Sequence, residues 1–300
     1  MTASRARTVM AGWECEAMGS YLRPSELSEA LGALGSGKPT VLAGGTDFYP
    51  ARVERPLDDD VLDIAGLRSL RGIADAGDHW RLGAGVTWTD VIAARLPPCF
   101  DGLAQAAREV GGVQIQNTGT VCGNVCNASP AADGMPNLLA LDASVELASA
   151  GGRRVLPLAD FVLGNRKTAR QSNELATALL VPKPARPARS VFLKLGARRY
   201  LVISIVMVAA IVEAAEGAVA AARVAVGACS EVARRLPELE AALVGRPLDS
   251  GLGAVATAGH LAGLAPIDDG RGTAAYRRDA ALTLVRRALA HLGAQGGGAA

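Results

Sequence analysis

The chain has 300 residues, half of them apolar and a fifth charged, with 31 basic against 29 acidic side chains for a net charge of +2. That length can bury two or three separate cores, and the composition excludes a chain that is disordered throughout. Near-neutral charge, with no basic run interleaved with aromatics, argues against a nucleic-acid or membrane partner.

In chain order, residues 1–20 show no periodicity, and no apolar segment follows Arg5 and Arg7. A poorly ordered leader without a signal peptide is expected. Ser25 stands where it can cap a helix whose apolar stripe is Leu27, Ala30, Leu31 and Leu34, closed by Gly35 and Gly37. A short strand over Thr40–Ala43 then stops at Gly44-Gly45-Thr46-Asp47, and a strand over Val61–Ile64 completes a small α/β unit. The spacing predicts strands over Arg71–Ala74 and His79–Ala84 and a helix over Leu103–Val110. Gly111 to Asn124 is too glycine-rich for a regular element, yet Val113, Ile115 and Val121 are too apolar for a solvated linker. A buried functional loop is expected there. A short helix near Pro136–Leu141 and strands over Val145–Ala148 and Leu175–Val181 close a second unit.

Pro182 to Pro187 contains three prolines and reads as a stiff linker. Beyond it come three strands, Val191–Ala197, Leu201–Val212 and Ala218–Gly227. Leu201–Val212 has 12 residues, too short for a membrane-spanning helix, so a buried strand and no membrane span are expected. The last helix, Tyr276–Leu292, has Ala281, Leu284, Val285, Ala288 and Leu289 on its apolar face, with Arg277, Arg278, Arg286 and Arg287 placed elsewhere. The tail Gly296–Ala300 is expected to be disordered. These elements predict an α+β chain in three parts, 21–65, 66–182 and 188–293, followed by a tail at 294–300.

The five cysteines, Cys15, Cys99, Cys122, Cys126 and Cys229, are odd in number and scattered, as reduced cytoplasmic thiols are. With the isolated His79, His260 and His291 they offer no converging set of soft ligands, so no metal is expected. Two nucleotide motifs fail on inspection. Gly32 to Lys38 has phosphate-loop spacing, but Pro39 replaces the hydroxyl residue and the run closes a helix instead of opening one. Gly83-Ala84-Gly85 lacks a third glycine, with Trp88 in its place.

The two remaining glycine runs are more telling. In Gly44-Gly45-Thr46-Asp47, and again in Thr118 to Asn124, residues without Cβ let backbone approach a bulky anion and turn N–H groups toward it. Either run alone is an ordinary turn. A diphosphate carrying a nucleotide at one end and a ring at the other needs two such walls. Asp133, nine residues after Asn124, is placed to accept hydrogen bonds from ribityl or ribose hydroxyls. Trp80 and Trp88 are assigned to core, Tyr49 is the better neighbour for such a ring, and Arg198-Arg199 reads as a solvated strand end.

The motifs in order are Tyr21-Leu22-Arg23-Pro24, Ala43 to Asp47, Leu82 to Thr87, Gln114 to Asn124, Ala128 to Asp133, Asn165-Arg166-Lys167-Thr168, Glu174, Lys194 and Ala275 to Arg278. From about Tyr21 to His291 the sequence resembles the FAD-binding medium subunit of the molybdenum hydroxylases, the family of xanthine dehydrogenase and aerobic carbon monoxide dehydrogenase. The resemblance implies a two-part FAD-binding domain of the vanillyl-alcohol-oxidase-like (PCMH) type, followed by a C-terminal α+β domain of three strands plus helices. It implies that Val41, Leu42, Ala43, Gly44, Gly45, Thr46, Asp47 and Phe48 wrap the diphosphate together with Thr120, Val121, Cys122, Gly123 and Asn124. Thr118 and Gly119 belong to the same cofactor-binding set. Asp133 then binds ribityl-side hydroxyls, Lys194 lies near the flavin, and Ala176 and Val110 make apolar flavin or adenine contacts.

The implied role is a cytoplasmic FAD-carrying electron-transfer subunit with no catalytic acid or base of its own. It takes electrons from a small iron–sulfur subunit, fed by a large molybdenum-binding subunit, and passes them to NAD, a quinone or oxygen. Three positions depart from the pattern: Cys122 stands where the family usually has Gly, Gln116 where it has Arg, and Val202 where an aspartate is expected. If Cys122 needs positive φ, its side chain crowds the phosphates. The alternatives are a stand-alone flavin reductase of the same fold and a flavin-free assembly subunit.

Overall fold

The structure is a computed structural model that describes residues 19–53 and 58–296. Strand β1 (Tyr21–Leu22), helix α1 (Leu27–Ser36), β2 (Thr40–Leu42) and β3 (Val61–Asp63) build the first unit. Its strands are parallel in the order β1-β3-β2, and parallel strands need a crossover. Helix α1 supplies it, burying Ala30 and Leu34. Ser25 does not cap this helix. Glu26 is the N-cap residue without a side-chain bond, and the Ser25 amide donates to the Glu29 carboxylate. Gly37 is the C-cap, its N–H donating to the Ala33 carbonyl.

The second unit contains β4 (Ile73–Asp75), β5 (His79–Gly83), α2 (Trp88–Ala93), α3 (Asp101–Glu109), α4 (Val113–Thr118), α5 (Val121–Asn127) and α6 (Gly134–Ala140). It continues with β6 (Ser144–Ser149), β7 (Gly152–Pro157), α7 (Leu158–Phe161), β8 (Val162–Gly164), β9 (Lys167–Thr168) and β10 (Leu175–Pro182). Five of these strands form an antiparallel sheet in the order β4-β5-β10-β6-β7, while β8 and β9 pair separately. The glycine-rich run from 111 to 124 is not a loop. It folds as α4 and α5, because Gly112 and Gly119 sit at the helix caps and only Gly123 lies inside a helix. Glycine at a helix boundary costs little; in the interior it costs about 1 kcal/mol.

After the proline stretch, β11 (Ala188–Leu195), β12 (Val206–Ala215), β13 (Ala218–Gly227) and β14 (Arg234–Arg235) form an antiparallel sheet in sequence order, joined by α8 (Pro237–Leu243) and α9 (Ala274–Gly296). The short fourth strand adds to the three expected. Strand β12 begins at Val206 and not at Leu201, because Leu201 has φ of 51° and both it and Ile203 are exposed. From Val206 the strand is covered on both faces. Met207, Ala209 and Ile211 join the core that contains α3 and α6, whereas Val206, Val208, Ala210 and Val212 join a second core against α8 and α9. Two apolar faces explain why this strand reads as an unbroken apolar run.

Arg277 is not on a solvated face of the last helix: it is 2 % exposed. Its guanidinium donates to the carbonyls of Ile205 (2.6 Å) and Ala228 (3.0 Å) and to Asp269 (2.6 Å), fastening the start of α9 to the ends of β12 and β13. The hydrogen bond from Arg271, with help from Arg277, holds the Asp269 carboxyl well below the usual carboxylate range. A depressed carboxyl pKa stabilises the fold while the group is ionised and stops doing so as pH falls through its folded value. Asp269→Asn is therefore expected to lower Tm near pH 7, with the gap to the unaltered chain closing as pH drops below about 4. Thermal melts across that range check it, and a gap independent of pH contradicts the charge role.

No described helix is long and apolar enough to cross a membrane. The expected leader, apart from residues 19 and 20, lies outside the described residues, as does the expected tail beyond Gly296; residues 294–296 of that tail are not disordered but continue α9.

Candidate functional site: a cleft between two glycine loops

The first loop leaves β2 at Leu42, and Gly45 takes φ of 73° so that the chain turns back, with the Tyr49 amide donating to the Gly45 carbonyl. A Cβ at Gly44 would stand 1.9 Å from the Thr118 carbonyl oxygen, and one at Gly119 would stand 3.2 Å from the Thr46 hydroxyl. The two loops are thus in backbone contact, an approach only glycine permits. The second loop is pinned from behind. The Trp88 amide donates to the Gly119 carbonyl, the Val121 amide donates to the Val86 carbonyl, and Thr87 bridges Thr120. Thr120 then caps α5 by accepting from the Gly123 amide at 2.9 Å. Thr120→Val is expected to cost about 1 kcal/mol of stability through loss of that cap, read by denaturant titration, and to weaken flavin retention as the loop loosens.

Between the loops lies a cavity of about 620 Å³. Val41 and Ala43 to Phe48 line one wall, and Gly119, Thr120, Cys122, Gly123 and Asn124 line the other, with Val110 and Ala176 completing the apolar part. Leu42, Thr118 and Val121 lie beside these walls without lining the cavity. Among the described residues, the backbone N–H groups of Gly44 to Phe48 donate to no protein acceptor. Asn124 Oδ1 is buried and also lacks a partner. A buried polar atom left unpaired costs about 1–3 kcal/mol, so this wall is chemically suited to a polar guest.

Lys194 and Asp133 do not line the cavity. Lys194 Nζ stands 2.6 Å from Asp133 Oδ2, Ser204 donates to Asp133 Oδ1 at 2.5 Å, and both charged side chains are 7 % exposed. The pair joins the start of α6 to β11. Tyr49 packs edge-on against Phe48 outside the cavity, while Trp88 is core and also contributes to the cavity wall. Arg198 and Arg199 are exposed, as expected.

Two departures gain a structural reading. Cys122 sits inside α5 with no positive φ, so it meets none of the conditions for crowding through a strained backbone. Gln116 donates to the carbonyls of Arg108 and Val110, tying α4 to the end of α3.

The structure also adds residues that the sequence reading did not place at the site. Asn127 donates to Asp47 at 2.7 Å, and Arg166 donates to Asn127 Oδ1 and lies 3.8 Å from Asp47. Arg166 holds φ of 58° and its amide donates to the carbonyl of Ala128, itself left-handed at the end of α5. This clasp joins the first loop to the β8–β9 turn across the cavity, which Arg170 and Ile64 also line. The motif Asn165 to Thr168 marked the turn without revealing its partner. Helix α2 was signalled by Thr87-x-x-Asp90, which forms a full capping box.

Residues 15–184 match the family described as the FAD binding domain in molybdopterin dehydrogenase, and residues 192–292 match the CO dehydrogenase flavoprotein C-terminal domain. The chain therefore belongs to the FAD-binding subunits of the molybdenum hydroxylases, and it is a flavoprotein subunit of an oxidoreductase. Its relatives include the nicotine 6-hydroxylase medium subunit of Paenarthrobacter nicotinovorans, 28% identical over 92% of this chain and 97% of that one. The nicotinate dehydrogenase FAD-subunit of Eubacterium barkeri is 35% identical over 62% of this chain and 66% of that one. Among solved structures, carbon monoxide dehydrogenase from Hydrogenophaga pseudoflava is similar with a TM-score of 0.82 at 28% identity, covering 92% of this chain and 97% of that chain. Quinoline 2-oxidoreductase from Pseudomonas putida 86 gives 0.84 at 26% identity, covering 93% and 97%.

Proposed function

We propose that this chain holds one FAD between its two glycine loops and serves as the electron-transfer subunit of a molybdenum hydroxylase complex. In this reading a small iron–sulfur subunit and a large molybdenum-binding subunit deliver electrons, and an external acceptor such as NAD or a quinone removes them. The observation that carries it is the pair of touching loops with a row of amides on Gly44 to Phe48 that find no protein acceptor.

Those amides and the Thr46 hydroxyl can donate to the diphosphate, and Asn124 Oδ1, an acceptor without a protein partner, suits a ribose or ribityl hydroxyl. The side chains of Ile64, Val110, Ile115 and Ala176 keep water from the apolar part of the cleft. Asp47, Asn127 and Arg166 hold the first loop against the rest of the site, and the buried Asp133–Lys194 pair orients β11 against α6. When bound, FAD supplies the exchange between single-electron donors and a two-electron acceptor. No side chain of this chain then has to move a proton for substrate oxidation.

We take 21–65 and 66–182 as the two halves of the FAD domain and 188–293 as the C-terminal domain. Cytoplasmic residence is part of the same reading, supported by the free thiols of Cys99, Cys122, Cys126 and Cys229. Purified alone, the chain is expected to bind FAD and to oxidise no xanthine-like substrate, while the complex with its partner chains does so. Turnover by the isolated chain contradicts the relay role.

A further inference from the structure

Helix α5 carries two cysteines one turn apart, Cys122 and Cys126, and both line the flavin cavity. Side chains at i and i+4 lie on one helix face. Cys122 is buried at 3 % exposure, whereas Cys126 is partly open. Among the described residues, Cys99, Cys122 and Cys229 are buried and only Cys126 is accessible. Arg170, a cation, lines the same cavity. From these positions we propose that Cys126 is a covalent modification site for small soft electrophiles inside the cleft, and that an adduct on its sulfur and a bound FAD exclude one another. The exclusion rests on the FAD reading above; the modification site does not.

The chemistry follows from the neighbours. The neighbouring Cys122 thiol, one turn away, lowers the Cys126 pKa against the opposing effect of burial, and the charge of Arg170 acts in the same direction as Cys122. The proximity of Cys126, together with burial, raises Cys122. Burial pushes Cys99 and Cys229 up to about 11. The thiolate is the nucleophile, so the cysteine with both access and a stabilised thiolate reacts first. With iodoacetamide, Cys126 releases its thiol proton to solvent and its sulfur displaces iodide: the S–C bond forms and the C–I bond breaks. The two thiols are poorly set for a disulfide, because neighbouring Cβ atoms on a helix face are about 5–6 Å apart, while a disulfide needs about 3.5–4.5 Å. The pair therefore presents one open nucleophile beside one buried thiol.

The test labels the full chain with iodoacetamide under native conditions, in flavin-free and FAD-saturated samples, followed by peptide mass mapping and flavin absorbance. In the flavin-free chain Cys126 is expected to react at least about tenfold faster than Cys99, Cys122 or Cys229. FAD should slow that labelling by a similar factor, and alkylated chain should take up less FAD than untreated chain. Cys126→Ser should show the same FAD uptake with and without iodoacetamide. Equal labelling of all the buried and open cysteines overturns the modification site. Undiminished Cys126 labelling in a sample whose absorbance shows bound FAD overturns the exclusion. If untreated chain takes up no FAD while Cys126 still reacts selectively, the FAD reading and the exclusion fail and the modification site stands.

Discussion

Gly44→Ala is expected to abolish flavin retention in a chain that still folds. The added methyl would meet the Thr118 carbonyl oxygen at 1.9 Å, its carbon at 2.6 Å and Gly119 Cα at 2.8 Å. All three are backbone atoms, so no side chain can swing aside. The loops have to separate, and the amides of Gly44 to Phe48 no longer face the second wall. A loss of at least about 100-fold in FAD affinity, roughly 2.7 kcal/mol, is the expected outcome, measured by FAD titration with circular dichroism as the fold check. Gly32→Ala is the control, because nothing lies within 4 Å of the added methyl on the exposed side of α1. It should leave flavin retention unchanged and gain a little helix stability. Equal retention by the two variants contradicts the account of the loops.

The second large effect concerns Lys194. Removing it as Lys194→Met leaves Asp133 buried with only Ser204 as a partner. Breaking a buried ion pair from one side costs about 3–5 kcal/mol, whereas removing both charges can be nearly neutral. Lys194→Met is therefore expected to be severely destabilising, and Asp133→Asn combined with it should recover most of the loss. A double-mutant cycle by denaturant titration reads this directly. Additive losses in the double variant contradict the pairing.

Much of this architecture was legible in the sequence, for physical reasons that differ by element. Strand β13 appeared with its observed bounds because its ends are marked by Glu216-Gly217 on one side and the turn after Gly227 on the other. The glycine loop at Gly44 was legible because glycine density after a strand signals close backbone approach, and its partner at Gly119 carried the same signal. What stayed hidden was mostly pairing across long distances. Lys194 and Asp133 are 61 residues apart, and no local pattern shows that β11 brings one to the other. Asp47 and Asn127 are 80 residues apart and meet only because α5 ends beside the first loop.

Local misreadings have local causes. Glycine density alone makes the run from 111 to 124 read as a loop, because it takes no account of glycines placed at helix caps. A helical stripe accounts for apolar residues and leaves Arg277 only off that stripe, whereas this arginine is buried by carbonyls at the ends of two strands. Ser25 had the right chemistry for a cap, but the helix starts one residue too late for its side chain to serve.

The central claim is that the two loops close on the same FAD diphosphate. Backbone hydrogen exchange, followed with and without saturating FAD, tests it most directly. Slower exchange is expected at both residues 43–48 and residues 119–124 on binding. Bound FAD, visible by absorbance, with exchange unchanged at either loop would contradict it.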